Sequence, residues 1–541
     1  MRIATAPAQE SNPLGRRRSG KAGAVLALSL AVAAPVALPS ASAAAGQRGG
    51  HELPLGSAGL DETRESRTVA TGVRYTRIAR GETSWRDVYT VDVAFREDAR
   101  EARELARRLR ADGYPARVLV VSERAPDDPE RGPLGRLVRV GSFGTEAEAT
   151  GLRDELAAGG YTGLRVVFTP EDGRRTDGPW VLHVLRVDPE RLTGRIDVCL
   201  GTDVVPGREL LSGLAARSGA FAGLNGGYFV IGEADGTPGD LAGISVLDGD
   251  LVSEAVAGRT SLLLPAPSGA DAQVAALSTR VTAASSDGAR REVDGLNRKP
   301  GLIRGCGGTG GDMPTEAPKH DFTCTDASEL IHFTPAFGAA TEPGAGIEAV
   351  LDAGGRVLEL RDTRGGPIPS GGSVLSGTGE AGEWLSAHAT PGTSVPVSTQ
   401  ILAGNRPVAA GPSLDVVNGG PRLLRGGRPA ITAFAEGFHW AENPEFYYRF
   451  GVRRDPRTLA GVAEDGRLVL VAVEGRKPGS SVGASFRESA RLMRALGAED
   501  AVNLDGGGSA GMTPGSSLVT RPSDATGERP ITDGLLLTPA G

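Results

Sequence analysis

The stretch Asn503-Leu504-Asp505-Gly506-Gly507-Gly508-Ser509-Ala510-Gly511-Met512 sets one carboxylate after an apolar segment and before three consecutive glycines. Asp-Gly is a common turn dipeptide, but an ordinary turn does not need three glycines. A glycine run lets backbone N–H groups approach an anion closely. The stretch therefore predicts an anion-binding turn with Asp505 as the candidate catalytic residue. The predicted hydrogen-bond donors are Gly506, Gly507, Gly508 and Ser509.

The residues before this turn predict a strand, a helix and a second strand. Residues 468–473 form an apolar, β-branched run that ends at Glu474, and Ser485 with Glu488 makes a capping box for a helix that reaches Leu496. Residues 501–504 return as the second strand. Such a βαβ unit holds its strands parallel, with both carboxyl ends at one edge of the sheet. We therefore expect Glu474 to lie near Asp505, in an α/β catalytic domain with a mixed sheet.

Further motifs, in a fixed order, extend this pattern towards the N-terminus. They are Gly223-Leu-Asn225-Gly226-Gly227-Tyr228-Phe229, Gly243-Ile-Ser-Val-Leu-Asp-Gly249, Gly258-Arg259-Thr260, Arg454-Asp455-Pro456-Arg457-Thr458 and Val473-Glu474-Gly475-Arg476. With the glycine turn, these motifs resemble the phosphodiester glycosidase family. Its members include the uncovering enzyme, an N-acetylglucosamine-1-phosphodiester alpha-N-acetylglucosaminidase. The resemblance implies a phosphodiester glycosidase domain at residues 179–541.

The family resemblance implies a hydrolase that cleaves a sugar 1-phosphodiester in cell-envelope or extracellular glycans. Such a substrate carries a negative charge beside the bond that breaks, so the site needs cations or N–H groups for the phosphate. Arg457 is the predicted phosphate clamp because its planar guanidinium can bind two oxygens at once. Asn225 either contacts sugar hydroxyls or holds Asp505. The motif positions assign further substrate contacts to Thr458, Gly226, Gly227, Arg259 and Arg476.

Glycoside hydrolases usually use two carboxylates, roughly 5 Å apart for retention and roughly 6.5–9.5 Å apart for inversion. Glu474 and Asp505 are the predicted catalytic pair. Because a phosphate monoester is already a good leaving group, one carboxylate is an alternative. No cofactor is predicted, although a divalent cation at Asp505 is a further alternative. No Cys-x-x-Cys or His-x-x-x-His spacing indicates a metal site.

Residues 85–170 contain an internal repeat. Residues 88–95, 99–111 and 116–121 read as strand, helix and strand, and residues 137–143, 145–158 and 164–168 repeat this order. The repeat predicts a small α+β ferredoxin-like domain with four strands and two helices on one face. The second half resembles the sporulation-related repeat (SPOR) domain, which implies binding to peptidoglycan glycan strands. The alternative is a packing or spacer domain. The repeat pattern and its polar flanks also predict modular independence, in which residues 85–170 fold alone and bind glycan strands while residues 179–541 keep full activity.

The N-terminal residues have the features of an export signal. Arg16-Arg17-Arg18 precedes an apolar segment at 22–38, and Ala41-Ser42-Ala43 offers a cleavage site, which predicts a signal peptide at residues 1–43. The general secretory route is favoured over the twin-arginine route because Ser19-Gly20 is not an apolar pair. Residues 44–84 are polar and predict a linker. The protein is expected to be secreted or cell-wall associated, with no stable membrane span after signal cleavage.

The net charge and the cysteine content limit the binding partners and the cellular compartment that fit this sequence. A net charge of −7 and a pI near 5.6 argue against a general nucleic-acid binder. Three cysteines suit an oxidising compartment. Cys306 and Cys324 bracket a Gly/Pro/Thr-rich loop and are the predicted disulfide. Cys199 lies in an apolar run and is predicted to be a buried thiol.

Two other functions stay open from the sequence. One is a non-catalytic peptidoglycan or polysaccharide binding protein, which the intact Asp-Pro-Arg-Thr and Asn-Leu-Asp-Gly-Gly-Gly-Ser motifs disfavour. The other is a phosphodiesterase that cleaves P–O bonds in wall polymers such as teichoic acid. The motifs do not choose between C–O and P–O cleavage, and they do not identify the sugar.

Overall fold

The computed structural model describes residues 52–309 and 317–540, and the predicted signal peptide at 1–43 lies outside them. Strands account for 38% and helices for 15% of the structure. Within the described ranges, no helix is long and apolar enough to cross a membrane. The chain up to residue 170 contributes the elements β1 (Glu62–Ala70), β2 (Val73–Arg80), β3 (Tyr89–Arg96), α1 (Ala99–Ala111), β4 (Ala116–Val121), β5 (Gly135–Phe143), α2 (Glu146–Ala158) and β6 (Arg165–Phe168).

Most of the remaining elements are strands, many of them short. The first group is β7 (Trp180–Val187), β8 (Gly194–Leu200), α3 (Leu211–Arg217), β9 (Ala222–Asn225), β10 (Ser245–Leu247), β11 (Asp250–Ser253), β12 (Arg259–Leu264), β13 (Gln273–Ala284), β14 (Arg290–Glu292), β15 (Gly295–Leu296) and β16 (Leu302–Arg304). The second is β17 (Thr323–Thr325), β18 (Leu330–Phe333), β19 (Gly344–Asp352), β20 (Val357–Arg364), β21 (Gly372–Gly377), α4 (Gly379–His388), β22 (Val397–Ala403), β23 (Arg406–Val408) and β24 (Asp415–Val417). The third is β25 (Arg422–Arg425), β26 (Arg428–Pro429), α5 (Glu445–Tyr447), β27 (Arg457–Ala463), β28 (Leu468–Val473), α6 (Phe486–Ala495), β29 (Ala498–Asn503), β30 (Met512–Thr513) and β31 (Asp533–Pro539).

Residues 62–80 form a β-hairpin where the sequence predicted a linker. Strands β1 and β2 pair antiparallel, and β2 pairs along its whole length with β7. The side chains of Val73, Tyr75 and Ile78 on β2 are buried, whereas β1 is polar and largely exposed. The polar edge strand carries little hydrophobic signal, and this explains why the segment resembled a linker.

The repeat domain has the predicted strands and helices. Its sheet has the order β4-β5-β3-β6, with every pair antiparallel. Helices α1 and α2 pack on one face, where Val91, Val138, Leu105 and Leu156 form a buried core. Both helices begin at side-chain caps, Asp98 for α1 and a Thr145 capping box for α2.

The second face of the repeat sheet packs against the glycosidase region. Phe95 and Phe168 belong to the same buried cluster as Trp180, Tyr448 and Phe486, and the Phe95 ring stacks on Tyr448 at 5.8 Å. Polar contacts add to this packing, such as the backbone amides of Phe434 and Ala435 donating to Asp127. The repeat domain is therefore part of a shared hydrophobic core. Its sheet face is not open to solvent.

Three main sheets build the glycosidase region. One of two eight-stranded sheets has the order β1-β2-β7-β28-β27-β29-β25-β26 and is antiparallel throughout. A small sheet β30-β9-β31-β8 faces it across a core that includes Leu224, Leu470, Leu504 and Leu535. A second large sheet contains β10 to β14 with β22 to β24, and a five-stranded sheet has the order β15-β18-β21-β19-β20.

The predicted α/β class with a mixed sheet is wrong. The region is mostly antiparallel β-sheet, and among the described strands only β15 and β18 pair in parallel. Strand β27 lies between β28 and β29 and pairs antiparallel with both. Helix α6 does connect β28 to β29, and its capping box is present. The βαβ prediction failed because β27 and β28 form a hairpin, which fills the position beside β28 that a βαβ unit gives to β29.

The predicted disulfide between Cys306 and Cys324 is confirmed, with a Cα–Cα distance of 5.3 Å. It closes the loop that carries His320 and Asp321. Cys199 is a free cysteine on β8 and is only partly buried, against the prediction of a buried thiol. Burial raises the pKa of this thiol to about 12.

Candidate active site

A cavity of about 220 Å³ lies where β29 and β9 end and β27 begins, and we call it the Asp505 cavity. Its walls come from segments far apart in the sequence, including the disulfide loop and the glycine turn. The lining residues are Tyr228, Phe229, Ile231, Ala242, Arg259, Arg304, Gly305, His320, Asp321, Phe450, Asp455, Arg457, Arg476, Asp505, Gly506, Gly507, Gly508 and Arg529. Two features dominate this wall, five guanidinium groups and the backbone of three glycines.

Asp505 is the second residue after β29, and its carboxylate reaches the cavity. Its Oδ1 accepts a hydrogen bond of 2.9 Å from the Gly506 amide. Burial raises the pKa of Asp505 to about 6, and Ser509, Arg529 and the Gly506 amide oppose that shift. A carboxylate with this pKa exchanges protons near neutral pH, as a catalytic group requires.

Backbone conformation at Gly507 and close neighbours at Gly506 and Gly508 favour glycine in this turn. Gly507 has a φ of 58°, in the left-handed region that glycine adopts without strain. A Cβ on Gly508 would lie 2.3 Å from the Arg529 guanidinium and 2.3 Å from the Asp524 carboxylate. The Gly507 amide donates to Pro456 O at 3.0 Å, whereas the Gly508 amide donates to no described backbone group. Of the three glycine amides, that of Gly508 is therefore the one available to a ligand.

Asn225 and Thr458 support the turn from below. Asn225 Nδ2 donates to the Asp505 carbonyl at 2.8 Å, and Asn225 Oδ1 accepts from Thr458 Oγ1 at 2.6 Å and from the Gly511 amide at 3.0 Å. Both side chains are buried and line no part of the cavity. Of the two predicted roles of Asn225, the geometry therefore favours holding Asp505.

Gly226 and Gly227 lie against buried polar side chains. A Cβ on Gly226 would lie 2.5 Å from the Asp533 carboxylate, and one on Gly227 would lie 2.3 Å from the Asn418 amide. The Gly227 amide donates to Asp533 Oδ1 at 2.9 Å, and the Asp505 amide donates to Gly226 O at 3.2 Å. Burial raises the pKa of Asp533 to about 7. These glycines allow the loop to pack tightly against the Asp505 turn.

Arg457 and Arg259 are buried in the cavity wall. Arg457 Nε donates to Ala484 O at 2.9 Å, its Nη2 donates to Phe450 O, and its guanidinium lies 4.6 Å from the Phe486 ring centre. Arg259 Nε donates to Glu436 O at 3.1 Å, and its Nη2 has no partner among the described residues. Burial lowers the pKa of Arg259 to about 10. Both guanidiniums are thus held by the protein, with part of each facing the cavity.

Three further arginines reach the cavity with more freedom. Arg476 follows β28 and Gly475, pairs with Asp455 at 2.9 Å, and lies beside Gly507. Its φ of 53° is uncommon for a non-glycine residue. Arg529 pairs with Asp524 at 2.8 Å, and Arg304 pairs with Asp321 at 2.8 Å. The motifs in the sequence predicted Arg476 as a substrate contact, but they did not indicate Arg304 or Arg529.

Glu474 lies outside the Asp505 cavity. Its Oε1 is 2.9 Å from His183 Nε2 and accepts a bond of 3.0 Å from the Arg521 amide. His183 Nδ1 is in turn 2.8 Å from the Tyr75 hydroxyl. Glu474 and His183 are both buried. The carboxylate thus belongs to a closed hydrogen-bond network that ties β28, β7 and β2 together.

Asp321 is a further carboxylate in the cavity wall, besides Asp505 and Asp455, and no motif in the sequence predicted its place there. It follows His320 in the disulfide loop, and His320 is packed against Tyr228, Phe438 and Phe450. Burial lowers the pKa of His320 to about 3, so this imidazole is neutral. No motif marks Asp321. The available signal was its position three residues before Cys324, which closes the loop.

The donor set does not favour a bound metal. Across residues 52–309 and 317–540, no group of three or more histidine, cysteine, aspartate or glutamate side chains could hold a metal ion. The carboxylates in the cavity wall stand among five arginines, which repel a cation. The divalent cation considered at Asp505 would therefore need the substrate phosphate to complete its ligands.

Comparisons with known proteins agree with this architecture. The phosphodiester glycosidase family profile matches residues 345–538, and the SPOR domain profile matches residues 86–167. The crystal structure of a protein from Burkholderia pseudomallei, described as "Putative exported protein", is 36% identical, with a TM-score of 0.83 over 90% of this chain and 98% of that one. No curated protein matches the chain.

Two other solved structures are more distant. A hypothetical protein from Synechocystis is 17% identical, with a TM-score of 0.52 over 88% of this chain and 80% of that one, which shows a shared fold only. The zebrafish N-acetylglucosamine-1-phosphodiester alpha-N-acetylglucosaminidase catalytic domain is 16% identical over 66% of this chain and 77% of that one. Its TM-score of 0.32 is too low to carry a structural argument.

The fold and the site define a class of two-part proteins, in which a small repeat domain is docked on an antiparallel β region with an arginine-lined cavity. The chain belongs to the phosphodiester glycosidase family and carries a SPOR domain in front of the glycosidase region. The resemblance inferred from the ordered motifs is confirmed.

Proposed function

We propose that the protein is an exported hydrolase that cleaves the glycosidic bond of a sugar 1-phosphodiester. The observation that supports this most is the Asp505 cavity, where one carboxylate with a pKa of about 6 faces five arginines and a free glycine amide. A phosphodiester needs positive charge for its phosphate, and its anomeric carbon needs a carboxylate. The cavity supplies both within one small volume.

In this proposal the phosphate binds to Arg476, Arg529 and the Gly508 amide. Arg476 and Arg529 each keep one carboxylate partner, and those pairs hold the guanidiniums in place beside the glycine turn. Arg457 and Arg259 add positive charge from the wall. The binding energy of the phosphate then orients the anomeric carbon towards Asp505.

Asp505 acts in its ionised form, as the nucleophile or as the base that activates water. The leaving group is a phosphate monoester, which departs without a proton from the enzyme. We propose Asp321 as the second carboxylate of the site, in place of Glu474, because Asp321 lines the cavity and contributes to the electrostatic environment of Asp505. Glu474 is assigned a supporting role through His183.

Export and glycan association complete the proposal. The disulfide suits an oxidising compartment, and the similar Burkholderia protein is described as exported. The SPOR domain favours a glycan as the larger substrate. Because its sheet packs on the glycosidase region, we propose that it works as one unit with the catalytic part, and not as an independent module.

Hydrolysis in oxygen-18 water tests the reaction. The enzyme is incubated with a panel of sugar 1-phosphodiesters, beginning with an N-acetylglucosamine 1-phosphodiester. Mass spectrometry then measures the masses of the products. Label in the sugar supports C–O cleavage by a glycosidase. Label in the phosphate would favour the alternative phosphodiesterase, and no turnover across the panel would favour the non-catalytic binding protein.

A further inference from the structure

A second cavity, of about 570 Å³, lies between the SPOR domain and the glycosidase region, and we call it the interdomain cavity. It shares Asp321, Phe450, Asp455 and Arg476 with the Asp505 cavity, so the two form one continuous depression. Its remaining wall is built by β6 and the segment after it on one side and by residues around α5 on the other. A ligand that leaves the Asp505 cavity on this side meets the SPOR domain.

The interdomain cavity contains three arginines beyond Arg476. Arg165 extends from β6, and its nearest carboxylate is Asp92 at 4.0 Å, outside hydrogen-bond distance. Arg449 has no ion pair among the described residues. Arg453 is 3.3 Å from Glu171, and burial raises the pKa of Glu171 to about 7, so this carboxyl is partly protonated at neutral pH.

The positive charge of this cavity is therefore not balanced by the protein. Of the other carboxylates in its wall, Asp455 is paired with Arg476 inside the cavity and Asp321 is paired with Arg304. Arg165 Nη2 and Arg453 Nε are buried without a hydrogen-bond partner among the described residues. Like charges at close range repel each other unless an anion lies between them.

The same cavity has an aromatic wall that suits a sugar ring. Trp440, Phe446 and Phe450 line it, and Trp440 is only partly buried. Aromatic rings offer a sugar a flat apolar face. Cationic and aromatic groups together match a saccharide that carries a phosphate.

We propose that the interdomain cavity binds a second phosphate group of the substrate, with Arg165 of the SPOR domain and Arg449 as its ligands. The proposal rests on the proposed function and deepens it, because the substrate becomes a saccharide with at least two phosphates. The SPOR domain then forms one wall of the substrate cleft. This role explains why it is docked beside the site.

Titration calorimetry with glucose 1-phosphate and glucose 1,6-bisphosphate tests the proposal without relying on turnover. We expect the wild-type protein to bind the bisphosphate at least tenfold more tightly than the monophosphate. Arg165→Gln and Arg449→Gln should each lower the bisphosphate affinity about tenfold and leave the monophosphate affinity unchanged. Arg103→Gln is the matched control, because Arg103 lies exposed on α1, on the opposite face of the SPOR sheet.

Arg449 is exposed, so its variant should fold normally, and thermal melts check this for each protein. Equal affinity for the two sugars, or variants that behave like Arg103→Gln, would overturn the proposal. Inorganic phosphate serves as a third ligand. If it alone binds at Arg165 and Arg449 as tightly as the bisphosphate, the cavity serves free phosphate and the substrate assignment fails. Selective bisphosphate binding without hydrolysis of any phosphodiester would instead contradict the proposed function and leave this site standing.

Discussion

Two carboxylates follow two strands of one sheet that run in the same direction, and their surroundings differ completely. Strand β27 separates β28 from β29, so these two strands lie roughly 10 Å apart, two strand spacings. Val473 at the end of β28 pairs with Arg457, and Asn503 at the end of β29 pairs with Leu459, so β29 ends two residues short of β28. Glu474 is enclosed by His183 and the Arg521 amide. Asp505 faces a cavity lined by arginines and has one backbone donor.

The difference teaches that strand position alone does not make a carboxylate catalytic. A carboxylate whose oxygens are satisfied by buried partners stabilises the fold, since those bonds are formed in the native state. A carboxylate at a cavity wall whose oxygens can still accept hydrogen bonds is available to a substrate. At the same edge of the sheet, Glu474 is therefore a structural carboxylate and Asp505 is the one available for reaction in the proposed function.

The largest expected effect follows from Asp505→Asn. We expect turnover of a sugar 1-phosphodiester to fall on the order of 1000-fold, because the replacement is nearly isosteric and removes the charge. The matched variant Glu474→Gln should stay within about tenfold of wild type. Steady-state kinetics on both proteins, with melting curves as the folding check, decide the comparison. A reversed order would move the catalytic role to Glu474.

The second effect concerns the loop that brings Asp321 to the Asp505 cavity. Replacing both Cys306 and Cys324 by serine should lower the free energy of unfolding by about 3 kcal/mol, the value expected for a loop of this size. At temperatures where the double variant is still folded, its activity should also be lower than that of the wild type, because Asp321 loses its fixed position. Cys199→Ser is the control and should leave both properties unchanged. Full activity in the folded double variant would remove the disulfide loop from the site.

The sequence predicted local features well and long-range neighbours poorly. The α6 capping box, the SPOR elements and the glycine turn depend on residues close in the chain, and each was found where expected. The position of β27 between β28 and β29 depends on a hairpin that no motif in the sequence indicates. The partners of Glu474 are likewise remote, because His183 lies 291 residues away. Asp321 is far from every motif, so no spacing could connect it to Asp505.

A third prediction uses the pKa of Asp505, which burial raises to about 6. If the ionised form reacts, kcat/KM should rise with pH through about 6 and fall about tenfold per unit below it. A profile that falls above pH 6 would indicate a protonated Asp505 as the acid. In Asp505→Asn, the rise of kcat/KM near pH 6 should be absent from any residual activity. If the rise persists in this variant, another group is responsible for it.

The same shift has a consequence for stability. The folded protein holds the Asp505 proton more tightly than the unfolded chain does. The bound proton therefore stabilises the folded state below about pH 4, and this contribution is lost as pH rises through about 6. At pH 7 Asp505→Asn should therefore raise the free energy of unfolding by about 2–3 kcal/mol. Chemical unfolding at pH 4 and pH 7 measures it. A gain of equal size at both pH values would exclude the ionisation as its cause.

The smallest effect is expected at the enclosed carboxylate. Glu474→Gln keeps the shape of the side chain but replaces a charged acceptor by a neutral one, so the free energy of unfolding should fall by about 1–3 kcal/mol. Urea unfolding measures this change, and Glu499→Gln is the control variant. Glu499 is a carboxylate on β29, in the same sheet as β28. No change in stability would show that the His183 contact contributes nothing to the fold.

The most direct measurement of the central claim is a crystal structure of Asp505→Asn soaked with an uncleaved sugar 1-phosphodiester. The account predicts the phosphate beside Arg476, Arg529 and the Gly508 amide, with the anomeric carbon next to residue 505. Density for the sugar phosphate beside Glu474, or away from the Asp505 cavity altogether, would contradict it.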